Sequence, residues 1–166
     1  MTVVSDTSPI SYLVLIGREE VISQLYGDVL IPEAVYSELV HPRSPEAVRE
    51  RISDSPSWLN VETLSLEDEG LRLGEEEQRG LQDLDPGEHK SILLATLEEG
   101  SLLLIDERAG RAFAKKFDVK VTGTIGVLGA AAQKGLVDPA QAARDLRETT
   151  FRASADLYRW LLDKGE

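Results

Sequence analysis

Residues 84–117 read LDPGEHKSILLATLEEGSLLLIDERAGRAFAKKF, and the reading of this stretch decides the fold. Asp85, Pro86 and Glu88 spell a helix start: an acid at the N-cap, a proline at the first helical position and a glutamate three residues after the cap. The helix reads as far as Gly100. SLLLID, residues 101–106, then gives a strand too apolar for a sheet edge, so it belongs in the middle of a sheet covered on both faces. Residues 108–117 return to helical spacing. A helix, a buried strand and a second helix in this order predict a parallel sheet with helices packed on it.

The same alternation extends outward. Residues 2–5 predict a first strand ending at Asp6, followed by a helix with Ser8 as N-cap and Pro9 at its first position, ending at Gly17. A short helix over 19–26, a strand over 29–31, helices over 32–40 and 45–53 and a strand over 58–61 come next. The acidic stretch beyond reads as helix interrupted at Gly70, Gly74 and Gly80. A fifth strand falls at 119–121, Thr124 reads as the cap of a helix running to Gly135, and Pro139 and Ser154 start two last helices. The expected architecture is an α/β three-layer sandwich, with a central parallel sheet of about five strands flanked by helices. At 166 residues the chain fits one domain, residues 1–166, and is short for two.

Composition narrows the class. Apolar residues are 42% and charged residues 29%, ordinary globular usage that points to neither disorder nor a fibre. Without cysteine there are no disulfides or thiolate metal sites, as suits a reducing cytoplasm. No stretch resembles a signal sequence or a membrane span, so a cytoplasmic protein is expected. His41 and His89 are the only histidines and make no zinc pattern. The net charge of −12 argues against general nucleic-acid binding, but its distribution is uneven. Ten acids against two arginines lie between Glu62 and Glu88, whereas five bases against two acids lie between Glu107 and Lys120.

Four carboxylates stand where a packed core would not want them. Asp6 and Asp106 each end a strand at the carboxyl edge of the sheet, where parallel α/β folds bind ligands. An aspartate after a strand also serves as a turn residue or helix cap, and two such endings in one short sheet favour a site. Glu38 falls on the arc of Ala34, Val35 and Leu39, so it sits in an apolar stripe unless the helix end lifts it into solvent or toward an arginine. Glu88 completes a capping box, and it also shares a face with Ile92 and Ala95. Four acids on separate elements make a set of hard oxygen ligands for Mg2+ or Mn2+, which serve phosphodiester hydrolysis without a histidine base or cysteine nucleophile. In the helix after Asp106, Arg108, Arg111 and Lys115 share one face, while Ala109, Ala112, Phe113 and Phe117 are read on the other. Those cations lie where a phosphate backbone would pass, or form a plain solvated face. Ser8 and Thr124 at helix starts on the same edge could orient water or an anionic oxygen, although capping explains both.

The ordered set DTSP at 6–9, PEAVYSEL at 32–39, LDPGE at 84–88, LLLIDERAGR at 102–111 and VTGTIGVL at 121–128 resembles the PIN-domain nucleases. More narrowly it is similar to a prokaryotic PIN-like subgroup that begins DTSP and is often grouped with VapC-type toxins. The match is strongest over residues 3–136, which leaves the helices of 139–164 as an appendage. The resemblance implies Mg2+- or Mn2+-dependent cleavage of single-stranded RNA, and with it a small antitoxin carrying a basic segment and a homodimer. Asp6, Glu38, Glu88 and Asp106 match the family's four acids, Glu88 standing where many members have aspartate. Ser8 and Thr124 match polar positions near the metal, and the helix of Arg108 and Arg111 is in register with the family's basic segment.

The residues leave two other readings open. A PIN-like module without catalysis could bind a basic protein through its acidic surface, because a site can decay while its scaffold persists. A phosphatase-like hydrolase could use a strand-end aspartate as nucleophile, but its commonest form wants a second aspartate where Ser8 stands.

Overall fold

The computed structural model describes residues 1–65 and 74–165. Five strands, β1 (Val3–Ser5), β2 (Val29–Pro32), β3 (Leu59–Glu62), β4 (Leu102–Leu104) and β5 (Lys120–Thr122), form one sheet. Every neighbouring pair is parallel and the order is β3-β2-β1-β4-β5. Among the described residues ten helices surround it. They are α1 (Thr7–Leu15), α2 (Glu20–Tyr26), α3 (Glu33–Leu39), α4 (Glu46–Ser53) and α5 (Glu75–Gln82), then α6 (Pro86–Leu97), α7 (Arg108–Lys115), α8 (Thr124–Gln133), α9 (Pro139–Arg147) and α10 (Ala155–Asp163).

The period of two along the central strands divides the core into two layers. Val3 and Leu104 face one cluster, filled by residues such as Ile10, Ile22, Val35, Ile52, Leu128, Leu146 and Leu161 from α1 to α4 and α8 to α10. Val4, Leu103 and Ile105 face the other, filled by Leu81, Ile92 and Ala114 from α5 to α7. This is the three-layer α/β sandwich that the alternation predicts. SLLLID is its inner strand: β4 pairs with β1 on one side and β5 on the other, and Leu103, Leu104 and Ile105 are fully buried.

The strand order has a functional consequence. From β1 the chain winds outward through β2 to β3, then returns to lay β4 on the other side of β1. The β1/β4 gap is therefore a topological switch point, where the loops beyond the strands diverge and leave a crevice. Asp6 follows β1 and Asp106 lies just beyond β4 at that gap, with the Asp6 N–H donating to the Leu104 carbonyl at 2.9 Å.

Several helix starts differ from the sequence reading. Helix α1 begins at Thr7 with Asp6 in the N-cap position, not at Pro9 after a Ser8 cap. Pro9 is tolerated within the first turn because the N–H it lacks has no partner inside the helix. Helix α8 has Gly123, not Thr124, as its N-cap, and Thr124 is its first residue. Asp85 caps α6 as read, accepting the Glu88 N–H at 2.9 Å, and α6 stops at Leu97, before Gly100. At the end of α1, Gly17 has a φ of +69°, and the Gly17 and Arg18 N–H groups return to the Val14 and Leu13 carbonyls. Gly80 lies inside α5 and Gly74 before it, while the Gly70 interruption and the acids Glu67, Asp68 and Glu69 lie outside the described residues.

Leu103→Ala is expected to cost about 2–5 kcal/mol by opening a cavity in the middle of the sheet. The same change at half-buried Leu102 should cost clearly less. Chemical denaturation of the two variants measures the difference, and equal losses would contradict the central placement of β4.

Candidate active site

Asp6 leaves the core at the end of β1, and its backbone opens α1 in an extended conformation. Its carboxylate makes no capping bond to that helix, so it is not committed to the local role that an aspartate there usually fills. It is nonetheless buried, at 4% exposure. Burial pushes its pKa up to about 7, with the nearby Thr7 N–H opposing and the charges of Asp85, Glu38 and Asp106 adding to the rise. A carboxylate among carboxylates in a dry setting holds a proton or needs a cation.

Glu38 reaches the same place from α3, half-buried rather than lifted into solvent, and among the described residues no arginine pairs with it. Its Oε2 accepts the Thr7 hydroxyl at 2.5 Å and its Oε1 accepts the Gly87 N–H at 3.1 Å. Both partners sit next to a site acid, Thr7 beside Asp6 and Gly87 beside Glu88. The fit at Gly87 depends on the missing side chain, since a Cβ there would stand 2.5 Å from Glu38 Oε1.

Glu88, in the first turn of α6, is buried, and its pKa is raised. Burial is the largest cause, followed by a side-chain hydrogen bond with Asp85 and the charges of Asp85, Asp6 and Glu107. Asp85 therefore has two roles: it caps α6 through the Glu88 N–H and joins the carboxyl cluster. Sequence reasoning assigned it only the cap, and the DPGE spacing, which puts two acids on one helix start, was the available signal.

Asp106 is held from the start of α8. Its Oδ1 accepts the Thr124 N–H and its Oδ2 the Thr124 hydroxyl, both at 2.7 Å. An aspartate from the neighbouring strand thus supplies the cap that Thr124 was read as providing. Gly123 permits the approach, because a Cβ there would lie 2.7 Å from Asp106 Oδ1. Burial raises the Asp106 pKa against the lowering effects of Thr124 and of the Arg111 guanidinium.

The basic helix is not uniform. Arg111 is half-buried beside Asp106, whereas Arg108 and Lys115 are exposed along α7. The packed line of α7 is Gly110 and Ala114, with Phe113 and Phe117 half-buried, and Ala109 and Ala112 are exposed. Placing Ala112 opposite the arginines was incorrect: at 100° per residue it lies about 40° from Arg108. Ser8 lines a cleft of about 1100 Å³ that opens beside Asp106 and Arg111.

The donor set suits a hard divalent cation in kind: carboxylate oxygens, two of the acids buried, and mutual repulsion for a cation to relieve. Among the described residues, however, no three such side chains are drawn together into a ready-made cage. The hydrogen bonds account for this, since Glu38 and Asp106 each direct both oxygens to protein donors and Glu88 leans on Asp85.

The family model DUF3368, described as a PIN domain, matches residues 2–166. The chain belongs to the PIN-domain family, whose members are generally nucleases and typically use divalent metal ions. No curated protein and no solved structure matches it. Among the described residues no helix is long and apolar enough to cross a membrane.

Two measurements test this geometry. The native state binds a proton at Asp6 that the unfolded chain releases near 3.8, so stability falls as pH rises from there to about 7. The slope from this one group is at most about 1.4 kcal/mol per pH unit. Asp6→Asn removes this titration, so metal-free melts of the variant should fall less steeply than wild type between about pH 4 and pH 7, while the fall that Glu88 contributes with its own raised pKa remains. An unchanged slope would count against the buried acid. Separately, Gly87→Ala should destabilise by about 1–2 kcal/mol through displacement of Glu38, and the effect should shrink when Glu38 is already alanine. Additivity in that double-mutant cycle would mean that the contact carries no energy.

Proposed function

We propose that this chain is a metal-dependent endoribonuclease that cleaves single-stranded RNA as the toxin of a toxin–antitoxin pair. The observation that carries the reading is the buried Asp6 carboxyl, set among Asp85, Glu38 and Asp106 at the switch point of a PIN fold. A bound Mg2+ or Mn2+ supplies charge neutralisation at the phosphodiester and lowers the pKa of a water to give the nucleophile. Asp6, Glu88 and Asp106 are the acids to hold it, with Glu38 completing the set. Through Thr7 and Gly87, Glu38 also fixes the residues beside Asp6 and Glu88. Thr124 orients Asp106 through both of its oxygens. Arg111 offers a guanidinium to the phosphate on the Asp106 side, and exposed Arg108 and Lys115 extend that charge along α7. Ser8 lines the adjoining cleft.

The wider setting follows from the family likeness and the charge. A cytoplasmic homodimer held by a small antitoxin with a basic segment fits the surface, where Glu75, Glu76 and Glu77 are exposed in the first turn of α5. The same three glutamates favour one alternative, a PIN-like module that no longer cleaves and binds a basic protein partner.

Cleavage of single-stranded RNA in Mg2+ or Mn2+, compared with EDTA, separates the two. Asp6→Asn and Asp106→Asn should each lose more than about 100-fold in rate, since even outer-shell partners of a metal cost 10–100-fold. Cleavage by these variants at the wild-type rate would remove both acids from the mechanism, and a folded wild type that cuts nothing would leave the binding module.

A further inference from the structure

We propose that the cleft beside Asp106 is a base-stacking subsite for a nucleotide next to the scissile phosphate of single-stranded RNA. The proposal rests on the nuclease reading and assigns a role to the C-terminal segment, for which neither the sequence motifs nor the acid cluster account.

The cleft is continuous with the acid cluster, because Asp106, Arg111 and Ser8 lie in its wall. A chain whose phosphate meets Asp106 has its next nucleotide in this space. At about 1100 Å³ it lies just above the roughly 300–1,000 Å³ typical of pockets that bury drug-sized ligands, so a nucleotide fits.

Its walls are of the kind that single strands use. Tyr12 from α1 and Phe151 from the loop before α10 meet edge to face, 5.0 Å between centroids at 78°. The Tyr12 hydroxyl also pairs with that of Thr150 at 3.0 Å, tying the loop to α1. Trp160 of α10 lines the same cleft with 41% of its surface exposed, large for an indole that a core could have taken. Its benzo edge lies against Gly129 of α8, and the Lys164 ammonium sits 4.6 Å from its centroid. Aromatic faces beside cations bind successive bases with little sequence preference. Arg111 and exposed Arg152 provide two guanidiniums for the backbone or for stacking; of the acids in the wall besides Asp106, Asp156 is paired with Arg159 and Glu107 is exposed at the rim. Cations beside aromatic faces, continuous with a phosphodiester site, favour a nucleic-acid strand over a protein segment as occupant.

The test uses a short fluorescein-labelled single-stranded RNA in EDTA, where it is bound and not cut. Trp160→Ala and Arg152→Ala should each weaken binding on the order of tenfold, and Trp160→Phe should retain most of the affinity. Arg152 lies exposed in a loop, so its truncation leaves the fold intact whatever Trp160→Ala does to packing. Because Trp58 is buried, quenching of indole emission on binding reports Trp160, and an abasic RNA should not quench it. Wild-type affinity in both truncations, from a protein that still cleaves RNA with metal, overturns the subsite and leaves the nuclease reading intact. A wild type that neither binds nor cleaves RNA overturns both.

Discussion

The constraint on which the rest of the structure depends is the burial of the Asp6 carboxyl at the end of the central strand. Hydrophobic burial around β1 is what brings it there: Val3 and Val4 face opposite core layers, so the strand has no freedom to slide its end into water. Next to Asp6 the chain gathers Asp85, Glu38 and Asp106, which makes the position worse for a charge. Each neighbour is stabilised by a donor of its own. Thr7 and Gly87 serve Glu38, Thr124 serves Asp106 twice, and the Glu88 N–H serves Asp85. Among the described residues the nearby Thr7 N–H alone lowers the Asp6 pKa, so burial and the neighbouring charges raise it and favour the protonated carboxyl.

This arrangement couples distant parts of the chain. Thr7 and Glu38 are 31 residues apart, and Glu38 and Gly87 are 49 apart, yet one carboxylate joins all three elements. Asp106 and Thr124 join β4 to the start of α8 in the same way. The acids are therefore part of what holds the crevice in shape, as well as candidates for its chemistry.

The fold was legible because parallel sheets leave a strong trace: apolar strands that end in aspartate, separated by helices with readable caps. DPGE gave the start of α6, and SLLLID gave the central strand, from spacing alone. The acids themselves could be named from the cost of placing carboxylates on apolar faces. Their partners could not be, because a bond such as Thr7 to Glu38 has no local pattern. Local signals were also outweighed where tertiary bonds competed. Ser8-Pro9 looked like a cap and a first position, but β1 runs directly into the helix through Asp6. Thr124 looked like a cap, but Asp106 from the next strand takes that role. At α1 an aspartate takes the N-cap position itself, and at α8 an aspartate distant in sequence accepts the N–H and hydroxyl of the first helical residue while Gly123 holds the cap position.

Arg111 ties the cleft to the acids, and on the nuclease reading it is the group through which a chain with a net charge of −12 would admit a polyanion. Its guanidinium lies half-buried between Asp106, whose pKa it lowers, and the cleft that it lines. A positive group in this position acts over short range, where burial reduces screening, whereas the exposed glutamates of α5 are screened by salt within roughly 8–10 Å. Local charge rather than net charge then sets what can approach Asp106. Arg111 therefore joins two functions, so that replacing it would change the electrostatics of an acid and the wall of the cleft together. Trp160 and Arg152 line the cleft without being among the groups that shift the acids.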